Sequence, residues 1–213
     1  VAASLRNLRT DYIDCLILHS LYPSIEDTIQ AWQAMEKMVP SPVRSLGLSN
    51  VDLVSLQKVS DSATIKPRVV QNRFTEDTVD NPTPNFPKDL PYPLVPFDRD
   101  VRDYCRRYNI VYTPWGLLWG NPSLLDDPEL FMRMGQVLGV SKQVACYACM
   151  LRLRSCSMKM LCGTTKEERM PETLDGLRKI DAFLTDGEMN VTIFEGWLEQ
   201  VGKIIDRVDE EET

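Results

Sequence analysis

Five short apolar runs in this chain each end in side chains able to recognise a polar, flat ligand. His19 follows the first, Ser49 and Asn50 the second, Gln71 the third, Trp115 the fourth, and Gly163 and Thr164 the fifth. An imidazole, two amides, two hydroxyls and an indole can hydrogen-bond a heterocycle and stack on it. Taken singly each has a bland use, because a lone histidine is more often structural and a tryptophan after a strand is more often core. Their recurrence at the same point of successive units is what suggests a pocket. Thr165, with Glu168 in the third position, predicts a helix start, and Lys166 and Arg169 fall in its first turn. Cations there oppose the helix dipole, so a bound phosphate is one reason to place them, and ion pairs with Glu167, Glu168 or Glu172 are the other.

The elements that must carry these groups alternate. Tyr12 to Leu18, Val43 to Leu48, Arg68 to Gln71, Ile110 to Pro114 and Met158 to Cys162 read as short strands covered on both faces. Ser24 with Asp27 caps a helix whose apolar positions are Ile25, Ile29, Trp32, Met35 and Val39. Leu53, Leu56 and Val59 mark the next helix, and Asp100 to Tyr108 another. Leu124 to Leu138 and Lys142 to Arg154 are divided at Gly139 and Ser141, and Gly187 to Arg207 closes the chain with Ile193, Trp197, Val201 and Ile205 at spacings of four. Prolines 82, 84, 87, 91, 93 and 96 make 81–96 an extended loop, either a lid or a surface insertion.

Strand and helix in strict succession imply an α/β fold with a parallel sheet. A doubly wound sheet usually carries a glycine-rich GxGxxG turn after its first strand, and none is present, which favours a (β/α)₈ barrel with about five of the eight units visible. In such a barrel the strand ends converge on one mouth. Five strands leave an edge at Tyr12 to Leu18 and another at Met158 to Cys162, so self-association through exposed edges is expected unless further strands cover them. Without a sharp change of composition, 1–213 reads as one domain.

The net charge of −7 and the acidic tail Asp209 to Glu212 would repel a phosphate backbone, which argues against nucleic acid. No apolar run approaches a membrane span. The six cysteines lie mostly in apolar segments, as buried thiols of a reducing, cytoplasmic compartment do. Cys146 and Cys149 form a CxxC inside a helical stretch, and a zinc site would need a second pair, so they read as packing. Val1 to Leu8 reads as the second half of a helix, as though the chain starts in mid-element.

The strings DYIDCLILH, WQAMEKMV, VRSLGLSN, KPRVVQNRF, LLDDPEL and GTTKEERMPET, in this order along the chain, resemble successive landmarks of the aldo-keto reductases. The resemblance implies a TIM-type barrel that holds NADP(H) across its mouth and reduces small carbonyl compounds by hydride transfer. It gives His19 the place of the active-site histidine and Ser49, Asn50 and Gln71 the carboxamide of the nicotinamide. Trp115 takes the place of the aromatic that stacks on the ring, Thr164, Lys166 and Arg169 that of the clamp on the 2′-phosphate, and Glu172 that of an adenine contact. Thr173 and Cys162 depart from the family's asparagine and proline. The family's tyrosine, lysine and aspartate of proton transfer belong to strands ahead of the one ending at His19, so the resemblance is to an amino-terminally truncated member or fragment, impaired in turnover. A short paralogue doing isomerase or cyclase chemistry, and a non-catalytic binding or regulatory protein, are the alternatives.

Overall fold

The computed structural model describes residues 1–80, 93–153 and 157–206. Helix α1 spans Ala2–Leu8. Strand β1 (Leu16–Leu18) leads to α2 (Ile25–Glu36), β2 (Leu46–Ser49) to α3 (Leu53–Ser62), β3 (Val69–Gln71) to α4 (Arg99–Arg107), and then comes β4 (Val111–Tyr112). All four strands are parallel, in the order β1-β2-β3-β4, so each pairs with its neighbour in sequence. This is the winding of a barrel and not of a doubly wound sheet, whose order reverses. The barrel is not closed: among the described residues β1 pairs on one side only, and its residues are half-buried while those of β2 are fully buried.

Capping chemistry follows the sequence at the first helices. The Ser24 hydroxyl accepts from the Asp27 N–H at 3.0 Å and donates to its carboxylate at 2.8 Å. At α3 the Asp52 carboxylate is the cap, accepting from both the Ser55 N–H at 2.9 Å and the Ser55 hydroxyl at 2.6 Å. Trp32, Met35, Leu56 and Val59 then turn inward. Gly47 lies in the central strand β2, where an added Cβ would stand 2.8 Å from the Val69 carbonyl oxygen. Gly47→Ala is therefore expected to cost about 1–3 kcal/mol by overpacking, read as a lowered midpoint in urea with an unchanged slope.

Later elements depart from expectation. The strand expected over Met158 to Cys162 contracts to one bridge, Met158 beside Tyr112, held by Tyr112 N–H to Ser157 O at 2.9 Å and Lys159 N–H to Tyr112 O at 3.0 Å. Leu161, Cys162 and Gly163 are exposed, and with no covering layer a longer ladder gains little burial. The helix expected over Leu124 to Leu138 breaks into α5 (Pro122–Leu125), a wide turn at Pro128–Met132 and α6 (Arg133–Leu138). Pro128 has no N–H to continue α5, and Leu130 leaves the helical region.

Helix α7 (Lys142–Arg152) is capped by Ser141 and buried from Val144 to Met150. Cys146 and Cys149 are free and buried, and burial pushes the Cys149 thiol up to about 12. Helix α8 (Arg169–Thr185) packs on α7 through Gly176, where a Cβ would lie 2.7 Å from Val144. In α9 (Glu188–Ile205) the inward stripe is Phe194, Trp197, Val201 and Ile205, and Ile193 is exposed in place of Phe194. Among the described residues no helix is long and apolar enough to cross a membrane. Most of the proline-rich loop, Arg154, Cys156 and the acidic tail lie outside the described residues.

Candidate functional site at the strand ends

The carboxyl ends of β1, β2 and β3 and the residues after β4 form one hydrogen-bonded group. Asn50 is its centre. The side-chain N–H of Asn50 donates to the His19 carbonyl at 2.8 Å, and its side-chain oxygen accepts from the Trp115 indole N–H at 3.1 Å. This reach depends on a left-handed backbone at Asn50, φ 56°, which asparagine tolerates better than most residues. The Gln71 carbonyl accepts from both the Asn50 N–H, at 3.2 Å, and the Ser49 hydroxyl, at 2.6 Å. The four groups Ser49, Asn50, Gln71 and Trp115 thus meet beside the backbone of His19. Gln71 is half-buried and its side-chain amide makes no hydrogen bond among the described residues, while the exposed His19 ring has the Ser20 hydroxyl at 3.3 Å from Nδ1.

Trp115 is half-buried and lies 6.2 Å, centroid to centroid, from the half-exposed Trp119. The buried Arg73 guanidinium lies 5.6 Å from the first ring and 5.1 Å from the second, within cation–π range of both. Gly116, φ 78°, makes the turn between them, and a Cβ there would press on Trp119 at 3.3 Å.

A second region surrounds the start of α8. Thr164, Arg169 and Glu172 line an open cavity of about 510 Å³ together with Leu118, Tyr147 and Cys162. Lys166 is exposed and outside that lining. The helix begins at Arg169 and not at Thr165, because the Thr164 hydroxyl takes the Lys166 N–H at 3.0 Å and closes a turn of its own. The Thr165 and Glu168 cap is not formed, and Thr173 spends its hydroxyl on the Arg169 carbonyl. Tyr147 hydrogen-bonds Cys162, which is exposed as a residue but whose thiol is partly desolvated and so pushed up, the Tyr147 bond opposing this. Of the residues expected around one cleft, His19, Ser49, Asn50, Gln71 and Trp115 are brought together, and Thr164, Arg169 and Glu172 form a separate group. Trp115 belongs to the first group and Leu118, three residues on, lines the cavity of the second.

Sequence reading missed a third group. Asp98, 3% exposed, accepts from the Asn72 amide at 2.8 Å and the Tyr112 hydroxyl at 2.8 Å. Burial pushes its carboxyl up to about 7, with those two hydrogen bonds opposing the shift. Asp98, Asn72, Asn50 and Arg73 line one small cavity of about 190 Å³. An aspartate just before a helix reads as a cap. Here Phe97 and Asp98 are both left-handed, φ 56° and 53°, and the side chain turns inward without capping.

A family model described as the aldo/keto reductase family matches residues 1–129. An NAD/NADP-dependent indole-3-acetaldehyde reductase of Schizosaccharomyces pombe is 41% identical over 75 residues, covering 33% of this chain and 26% of the relative. A glyoxal reductase of Bacillus subtilis is 28% identical over 128 residues, covering 60% and 39%. An NADPH-dependent alpha-keto amide reductase of Saccharomyces cerevisiae is 29% identical over 136 residues, covering 60% and 38%. The chain spans well under half the length of these relatives. Among solved structures, an aldo/keto reductase from Brucella melitensis superimposes with a TM-score of 0.61 at 18% identity, over 92% of this chain and 65% of that one. A Gox0644 variant in complex with NADPH gives 0.63 at 17%, over 92% and 62%. The fold is therefore of the TIM-barrel type. With the family model covering more than half of its length, the chain belongs to the aldo/keto reductase family.

Proposed function

We propose that residues 1–213, as one domain, supply the cofactor-binding side of an NADP(H)-dependent carbonyl reductase. The observation that carries this reading is the hydrogen-bonded run from His19 through Asn50 to Trp115, with the unpartnered Gln71 amide beside it. These residues fit a nicotinamide: Trp115 offers an indole face held in place by its own N–H, and the half-buried Gln71 amide has capacity left for a carboxamide, while the buried Ser49 hydroxyl steadies this strand end by donating to the Gln71 carbonyl. Asn50 has both side-chain polar atoms committed inside the protein, so its contribution to binding is chiefly to aim Trp115. The Arg169 guanidinium fits a phosphate, with Thr164 beside it and Glu172 on the cavity wall for an adenine, while the backbone N–H groups of Arg169 and Met170 are taken by the Lys166 and Glu167 carbonyls. Lys166, at the rim, adds charge at longer range. The nucleotide, when bound, supplies the hydride. His19, the one histidine of the chain, then holds the oxygen of a small aldehyde or ketone by hydrogen bonding.

Among the described residues no tyrosine hydroxyl is paired with a lysine, and the reading carries slow turnover by this chain alone. Its buried thiols at Cys105, Cys146 and Cys149 suit a cytoplasmic setting. The discriminating experiment compares NADPH with NADH by quenching of tryptophan emission. Arg169→Ala is expected to weaken NADPH about tenfold, as for loss of one charge-assisted hydrogen bond, and to leave NADH unchanged. Equal loss for both nucleotides would remove Arg169 from the phosphate clamp.

The unpaired side of β1 makes self-association the accompanying expectation. Sedimentation should show species larger than 24.4 kDa at micromolar concentration, and a compact monomer would count against it.

A further inference from the structure

Asp98 lies outside the groups just assigned, yet Asn72 connects it to the backbone of Val51, the residue after Asn50. Its carboxylate oxygen Oδ2 accepts from Asn72 Nδ2 at 2.8 Å. The same Nδ2 donates to the Val51 carbonyl at 2.7 Å, and Asn72 Oδ1 accepts from the Val51 N–H at 3.0 Å. Asn72 thereby grips the peptide on either side of Val51, the residue immediately after the left-handed Asn50. The Asn72 backbone carbonyl also takes the Trp115 N–H at 2.9 Å. The Val51 N–H and carbonyl already set which way the Asn72 amide faces, and Asp98, by accepting from the same Nδ2, holds the amide against Val51 in that orientation.

We propose that Asp98 is a positioning residue for the nicotinamide side of the site, acting through Asn72 and the Val51 backbone to hold Asn50 in the left-handed turn that aims it at Trp115 and His19. The inference rests on the cofactor reading above for its consequence, while the coupling itself belongs to the free protein. Two consecutive left-handed residues, Phe97 and Asp98, are a costly way to enter a helix, and that turn is what brings Asp98 inward, consistent with strain kept at a functional position.

The device is sensitive to pH. The groups that face Asp98 are the Tyr112 hydroxyl from β4, Arg102 from α4, Asp100 from its own turn, and, across the 190 Å³ cavity, Arg73 after β3 and Asp52 at the cap of α3. Burial places its titration near 7. An ionised carboxylate is a stronger acceptor than a neutral acid, so raising the pH tightens the grip on Asn72 and orders Asn50 and Trp115.

The test is a pH titration of tryptophan emission from the free, full chain in a His19→Asn background, which removes the one histidine of the chain, with Trp115→Phe identifying the signal of Trp115. The expected result is a transition with a midpoint near 7 that is absent in the isosteric Asp98→Asn, whose folding is checked by its urea midpoint. In Tyr112→Phe, which removes a hydrogen bond favouring the ionised form, the midpoint moves upward. A merely structural Asp98 would move neither. NADPH titrations in the same variants should show the ratio of parent to Asp98→Asn affinity changing about fivefold between pH 6 and pH 8. A flat emission profile, or one unaltered by Asp98→Asn, overturns the positioning role even where NADPH binds. An Asp98-dependent transition without binding of any nicotinamide nucleotide supports the positioning role and sinks the cofactor reading instead.

Discussion

Arg102→Ala lowers the stability of the fold by about 3–5 kcal/mol, a loss read as a large drop in the urea midpoint. The side chain is 1% exposed, and its charge is met by protein on every side. Its Nε donates to the Phe97 carbonyl at 2.9 Å, Nη2 donates to the Ile205 carbonyl at 2.7 Å, and Nη1 pairs with Asp206 at 2.8 Å. The guanidinium also lies 5.7 Å from the Phe74 ring. Truncation would leave two carbonyls short of a donor and a cavity beneath the turn at Phe97. Two of the three polar contacts are at the carboxyl end of α9, where a cation also complements the helix dipole. Arg102 is thus the pin that fastens the last helix to α4, more than a hundred residues earlier. Lysine should not rescue it, because a single ammonium cannot serve three acceptors set in a fork. A loss below about 1 kcal/mol would mean that α9 is held by its apolar stripe alone.

The second large effect is on the pH dependence of stability. The Asp98 carboxyl is raised from 3.8 to about 7, so it holds its proton in the fold where the unfolded chain has released it. For an acid raised in this direction, the stabilising contribution is complete below about pH 4 and is lost as pH rises through 7. The size of the shift corresponds to about 4 kcal/mol. Asp98→Asn mimics the protonated group and keeps an acceptor for Asn72 and Tyr112. The variant and the parent should therefore be equally stable near pH 4, and the variant should become the more stable of the two as the pH approaches 8. Denaturation curves at closely spaced pH values would show this divergence. Parallel curves for the two proteins would mean that Asp98 is ionised throughout.

What could be read from the sequence was governed by range. His19, Ser49, Asn50, Gln71 and Trp115 were legible because each ends a short apolar run, and a parallel sheet delivers such positions to one rim whatever the details of packing. The Ser24 cap is a local matter of a few residues and forms as its chemistry requires. The start of α8 was misjudged where two local solutions competed, and the Thr164 turn displaced the Thr165 cap. Met158 to Cys162 reads as a strand by composition, but a ladder needs a neighbour to cover it, which no local pattern records. Ile193 and Phe194 are adjacent apolar residues, and only the packing of α9 decides which is inside. Asp98 was invisible for the deepest reason: its partners Asn72 and Tyr112 are far off in sequence, and its inward turn depends on two left-handed residues.

The account stands on one nucleotide reaching both the strand-end group and the start of α8. A crystal structure of the chain with NADPH tests this directly. The account predicts the nicotinamide ring lying against the Trp115 indole with its carboxamide on Gln71, and the 2′-phosphate of the same molecule hydrogen-bonded to Arg169. An NADPH that occupies only one of the two regions, or that lies away from Trp115 altogether, would contradict it.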